Sequence, residues 1–169
     1  MAITIRRATK ADVGQILAFI RALAVYEREP DAVRATEADL LEHGFGDNPF
    51  YTCLIAEQDD VPAGFALYFY DYSTWLGRPG LYLEDLFVLP EHRGAGIGKA
   101  LLQRLATIAL EKGCARMKWE VLDWNAPAID FYHAMGAEIQ KEWLNVRLSG
   151  ESLRRLAGAD LLAVTADAQ

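Results

Sequence analysis

A chain of 169 residues, 52% hydrophobic and 24% charged, is long enough for one domain with its own core, and this composition excludes disordered, collagen-like and coiled-coil classes. Its net charge of −7, with no Lys/Arg run, argues against a general nucleic-acid binder and suits cationic or small neutral partners better. The longest apolar run, around Phe65 to Tyr70, falls far short of the roughly 18 residues a membrane span needs.

The opening MAITIRRATKAD lacks the apolar stretch of a secretory signal, so a cytoplasmic location is expected. Cys53 and Cys114 lie outside any CxxC spacing and are expected as reduced, packed thiols. Ile3 and Ile5 alternate with polar neighbours as a short strand. Thr9 and Asp12 then form a T-x-x-D capping signal for a helix whose apolar positions are Val13, Ile16, Leu17, Ile20, Leu23 and Ala24, running to about Arg28. Thr36 and Asp39 repeat the signal for a short helix that Gly44 can stop.

Tyr51 to Ala56 and Ala63 to Tyr70, separated by Gln58 to Pro62, predict an antiparallel hairpin. After an irregular stretch, Asp71 to Gly80, a strand is expected over Leu81 to Leu89. The helix that follows carries Ile97, Leu101, Leu105 and Ile108 on one face and stops at Gly113. Arg116 to Val121 predicts another strand, and Asn125 an N-cap with Pro127 in the first helical turn. Gly136 closes that helix, Ala137 to Leu148 can supply one or two last strands, and Ser152 to Ala157 a terminal helix. The fold class is therefore mixed α/β in a single domain, residues 1–157, followed by a tail, 158–169.

The chemistry concentrates between a strand and a helix, in Arg93-Gly94-Ala95-Gly96-Ile97-Gly98. A glycine-rich loop there offers backbone N–H groups beside the positive end of the helix dipole, which suits the phosphates of a nucleotide-like cofactor. The dinucleotide fingerprint fails at Lys99, where a third glycine is required, and the P-loop fails because Ala100 follows Gly98-Lys99. His43, His92 and His133 have no metal-ligand spacing, and neither cysteine has an adjacent His to activate it.

Leu81 to Leu102, LYLEDLFVLPEHRGAGIGKALL, resembles the cofactor motif of the GNAT superfamily of N-acetyltransferases, and Asn125 to Tyr132 with Gly136-Ala137 resembles its second motif. AVYE at Ala24 to Glu27, DLLEHGFG at Asp39 to Gly46, GFALY at Gly64 to Tyr68 and VLDWN at Val121 to Asn125 narrow the likeness to the diamine acetyltransferase branch, which includes spermidine/spermine and thialysine acetyltransferases. Ser73-Thr74 precedes Trp75, as in the thialysine branch, where the spermidine/spermine branch carries Asp-Pro.

The resemblance implies a mostly antiparallel sheet flanked by helices and acetyl-CoA as co-substrate, without a metal. It implies acetyl transfer to a primary amine, of a thialysine- or lysine-like amino acid or a di- or polyamine, directly within a ternary complex. Glu84 is implied as the base, acting directly or through water, and Tyr132 as the acid that protonates the thiolate. Backbone groups of Leu86, Phe87 and Val88 are implied to hold the acetyl and pantetheine portions. Arg93, Gly94, Ala95, Gly96, Ile97, Gly98 and Lys99 would take the pyrophosphate, and Asn125, Ala126, Pro127 and Ala128 would complete the cofactor cleft with Tyr132. Tyr26, Glu27 and Glu84 match acceptor positions, with Glu29 and Asp31 extending an acidic rim. A homodimer is implied as well. Two alternatives remain open: a non-catalytic acyl-CoA-binding regulatory module and a protein or peptide N-acetyltransferase.

Overall fold

The computed structural model describes residues 2–158, so the expected tail lies, apart from Gly158, outside the described residues. Two compact units make up the chain, Met1–Glu120 and Val121–Gln169.

The first unit is built on a five-stranded sheet in the order β1-β2-β3-β4-β5: β1 Ile3–Arg7, β2 Thr52–Gln58, β3 Val61–Ser73, β4 Arg78–Val88 and β5 Met117–Lys118. The first four pair antiparallel and β5 joins β4 in parallel, as the mixed, mostly antiparallel expectation has it. Helices α1, Val13–Tyr26, and α2, Glu37–Phe45, lie over the face that carries Cys53, Ile55, Phe65, Leu67 and Phe87. Phe19 of α1, which the apolar spacing left out, is fully buried and stacks on Phe65 with ring centroids 5.4 Å apart. Burying one such ring is worth about 1.5–3 kcal/mol, so this pair anchors the layer. Alternation along the strands puts Leu54 and Tyr68 on the opposite face, beside α3, Ile97–Glu111, whose Ile97, Leu101 and Leu105 are buried.

Both capping signals operate. Asp12 accepts from the Thr9 N–H at 2.7 Å, and Thr36 and Asp39 exchange backbone-to-side-chain bonds of 2.9 and 3.2 Å at the start of α2. Arg6 adds a brace, donating to both Asp12 oxygens and to Glu57, each at 2.8 Å, so that β1, β2 and the start of α1 share one guanidinium.

Several boundaries differ from the sequence expectation, each for a physical reason. Helix α1 stops at Tyr26 rather than Arg28, because Arg28 takes φ of 66°. Gly44 does not stop α2, which ends at Gly46. Gly44 is needed because a Cβ there would strike the ring of Tyr51, whose hydroxyl donates to the Leu40 carbonyl at 2.6 Å. The first hairpin closes on Asp59 and Asp60 alone, at φ of 50° and 65°, a two-residue turn tighter than Gln58 to Pro62. Asp71 to Gly80 is mostly strand: the pairing runs out to Ser73↔Arg78 and leaves only residues 74–77 as the turn. Arg116 to Val121 is strand only over Met117–Lys118.

In the second unit Asn125 Oδ1 accepts from Ala128 N–H at 3.4 Å and caps α4, Ala126–Ala134, with Pro127 in the first turn. Gly136, at φ of 84°, follows its end, and α5 spans Gly150–Ala157. The expected strands over Ala137 to Leu148 are absent, since no residue between 137 and 149 joins a ladder. Leu144, Val146 and Leu148 have the alternation of a strand, but a strand needs a neighbour for its backbone groups, and all three side chains are exposed.

Candidate functional site

Where β4 meets its neighbours, its two edges behave differently. Toward β3 the ladder continues to Gly64↔Val88, with one irregularity: Leu67 faces Asp85 and Tyr68 faces Leu83, so Glu84 is an extra, unpaired residue, a bulge. Toward β5 the pairing ends after Leu81↔Met117 and Tyr82↔Lys118. Beyond Tyr82, among the described residues, no strand takes the backbone groups that β4 directs away from β3. Leu86, Phe87 and Val88 lie on this stretch, and the buried Phe87 ring points to the α1 face.

The glycine loop follows directly. Gly94 and Gly96 have φ of 82° and 87°, a left-handed backbone that side chains rarely adopt, and a Cβ at either would meet nothing within 4 Å. Their glycine requirement is therefore conformational rather than steric. Gly96 is the N-cap of α3, with no side-chain cap and no acidic residue in the first turn, so the N–H groups of Ile97, Gly98 and Lys99 are free to meet an anion. Ile97 serves only through its backbone, because its side chain is in the core. Lys99 and Ala95 are exposed.

Arg93 holds the loop in place. Its Nε donates to the Val88 carbonyl at 2.9 Å, and its guanidinium lies 4.8 Å over the Tyr26 ring and 5.4 Å from that of Phe87. Tyr26 and Phe87 are themselves 6.3 Å apart. Arg93 thus ties the loop to the end of α1. His92 adds a second tie, its Nδ1 lying 2.6 Å from Gln58 Oε1.

Three carboxylates gather where α1 ends beside β4. Glu84 is exposed at the bulge, and Glu27 is half-buried as the C-cap of α1, its carboxyl raised by burial. Asp85 is pushed up to about 7, chiefly by burial, then by the charges of Glu84 and Glu27. From the sequence, Asp85 is a second carboxylate beside Glu84 that can raise one of the two pKa values, with strand alternation weakening their coupling; the structure adds burial as the larger cause, which the sequence did not show. Glu29 and Asp31 are exposed and add only rim charge.

In the second unit, Tyr132 lies in α4, half-buried, its ring tilted 51° against Phe131 at 5.5 Å. Asn125 is buried and acts as the cap, while Ala126 and Pro127 are exposed and Ala128 half-buried. Cys53 is buried with its thiol pushed strongly up, chiefly by burial, which opposes a thiolate nucleophile. Ser73, also buried, accepts from Leu76 N–H at 3.3 Å, and Trp75 stands 89% exposed in the β3–β4 turn.

A family model described as the acetyltransferase (GNAT) family matches residues 12–137. The chain belongs to the GNAT acetyltransferase family. This acetyltransferase is 45% identical to a thialysine N-epsilon-acetyltransferase of Bos taurus over 92% of its own length and 98% of that protein's. It is 40% identical to a human spermidine/spermine N(1)-acetyltransferase-like protein 1, over 90% of this chain and 23% of that longer one. These relatives match the diamine acetyltransferase branch to which the motifs pointed. Among solved structures, an integron cassette protein from the mobile metagenome of V. cholerae superposes with a TM-score of 0.78 at 31% identity, covering 94% of this acetyltransferase and 99% of that chain. The enzyme is thus an amine N-acetyltransferase. No helix among its described residues is long and apolar enough to cross a membrane.

Proposed function

We propose that this enzyme moves an acetyl group from acetyl-CoA to the primary amine of a small molecule, a thialysine- or lysine-like amino acid before a di- or polyamine. The observation that carries the cofactor assignment is the unpaired edge of β4 leading straight into an uncapped helix N-terminus through two left-handed glycines. The N–H groups of Gly94 to Lys99 fit a pyrophosphate, and the edge of β4 at Leu86, Phe87 and Val88, which no strand covers and whose Val88 carbonyl Arg93 holds, fits an extended amide-bearing arm and a polarised carbonyl. Bound acetyl-CoA supplies the activated thioester. Asn125, Ala126, Pro127 and Ala128 complete the cofactor's contacts on this reading.

The acceptor amine, with a pKa near 10.4, is about one part in a thousand neutral at pH 7 and has to lose a proton before attack. Glu84 takes that proton, directly or through water; its exposed place at the bulge gives it access. Tyr132 returns a proton to the departing thiolate, since a phenol near pKa 10 is protonated at neutral pH. Tyr26 and Glu27 receive the acceptor, and Glu27 and Glu84 make that end of α1 attractive to a cation. Ser73-Thr74 before Trp75, where polyamine enzymes of the branch carry an acid, favours an amino-acid acceptor. We further propose that residues 1–157 form the catalytic domain, that the enzyme acts in the cytoplasm without a metal, and that it functions as a homodimer in which the unladdered segment Ala137 to Leu148 finds a strand partner.

Thiol release from acetyl-CoA, measured with thialysine, lysine, ornithine, diamines, polyamines and a peptide N-terminus, tests this reading. Turnover is expected with the amino acids first and the polyamines next. Coenzyme binding by calorimetry with silence across the whole set contradicts it and favours the regulatory module; turnover with the peptide alone favours the protein-modifying reading.

A further inference from the structure

Asp71 of β3 and Gly80 of β4 face each other across the ladder. A Cβ on Gly80 would collide with Asp71 Oδ1 and come within 3.3 Å of the Arg116 side chain, so the missing side chain is a passage. Through it the Asp71 carboxylate reaches past β4 to the next strand: Oδ2 lies 3.3 Å from Arg116 Nη2 and 3.0 Å from Lys118 Nζ. The strand so reached, β5, pairs with β4 at only two positions, supported by Leu81 N–H to the Arg116 carbonyl and Ala115 N–H to the Pro79 carbonyl, both 3.0 Å. So short a pairing is marginal by itself. Tyr82 assists on the same face, stacked on Phe69 at 5.0 Å, with Lys118 Nζ 5.6 Å from its ring centroid and its hydroxyl 3.1 Å from Glu120. Asp71 Oδ1 and Arg116 Nε are buried without a hydrogen-bond partner, a desolvation cost that the contacts of Oδ2 offset.

We propose that Asp71 is a positioning residue: reaching across Gly80 to Arg116 and Lys118, it pins β5 to β4 at the last two paired residues and so sets where the strands part to admit the cofactor. The second half of this statement rests on the cofactor reading above. The pinning does not, because it is defined in the free protein.

Two variants break the same contact in opposite ways. Asp71→Asn keeps the shape and removes the charge, whereas Gly80→Ala keeps every charge and closes the passage. In the ligand-free protein, amide exchange at Leu81 is expected to quicken about ten-fold in each. Calorimetric affinity for coenzyme A is expected to weaken about three- to ten-fold, with kcat within about two-fold of the parent, and the double variant is expected to be no worse than either single one. Lys118→Met, at a half-exposed partner, provides a milder version should the others fold poorly, with about two-fold effects in the same direction. Unchanged Leu81 exchange overturns the pinning. Faster exchange with unchanged coenzyme affinity, or effects that multiply in the double variant, overturns the positioning role. A parent protein that binds no coenzyme A sinks the cofactor reading instead, and the Leu81 measurement still decides whether Asp71 holds the strand.

Discussion

Adjacent carboxylates at Glu84 and Asp85 meet different fates because one residue of slippage separates them. Glu84, extra in the ladder, stays exposed, whereas Asp85 is half-buried on the α1 side, and its carboxyl is pushed up to about 7. The sign of the consequence follows from linkage. A carboxyl whose folded pKa is raised binds more protons in the folded than in the unfolded state, so stability falls as pH rises from about 4 through about 7. Asp85→Asn removes that dependence: chemical denaturation should find the variant more stable than the parent at pH 8, by about 4 kcal/mol at most, with the difference vanishing below about pH 3. A second expectation concerns Tyr132. Tyr132→Phe should lower kcat by about 10²-fold or more while leaving calorimetric affinity for acetyl-CoA nearly intact. Glu84→Gln should flatten the acid limb of the pH–rate profile; if that limb persists, the base is another group.

For the secondary elements, legibility tracked how local the determining interaction is. Helices α1 and α2 were readable because T-x-x-D boxes and a 3.6-residue apolar period act within one segment. The glycine loop was readable for the same reason, its left-handed residues being glycines in sequence. The bulge at Glu84 was not, because it is a property of two strands in register, and neither strand shows it alone. Gly44 misled as a helix stop because its purpose is a tertiary approach by Tyr51. Ala137 to Leu148 reads as one or two strands, yet a segment's own sequence cannot supply the neighbouring strand a ladder requires. The loop itself yields a prediction. Gly94→Ala or Gly96→Ala forces a side chain into a backbone that costs about 1–2 kcal/mol, so the KM for acetyl-CoA should rise about ten-fold while the KM for the amine holds.

For the molecule as a whole, the net charge of −7 gains a location rather than a meaning. Glu27 and Glu84 concentrate negative charge beside the end of α1, where a cationic amine is expected, while the first turn of α3, where the phosphates are expected, carries no acid at all. On the proposed reading, the expected amine and phosphate sites thus differ in charge. The family was legible from motifs running almost the length of the chain, and the relatives bear it out. The acceptor was less legible, because it depends on a few side chains rather than on the fold. The most direct test of the central claim is mass spectrometry of the amine product after incubation with acetyl-CoA and an equimolar mixture of thialysine, lysine and spermidine. A single acetyl group on the side-chain amine of thialysine or lysine, formed in excess over acetylspermidine, is the result predicted here. Acetylation of spermidine alone, or of none of the three while acetyl-CoA is bound, would contradict it.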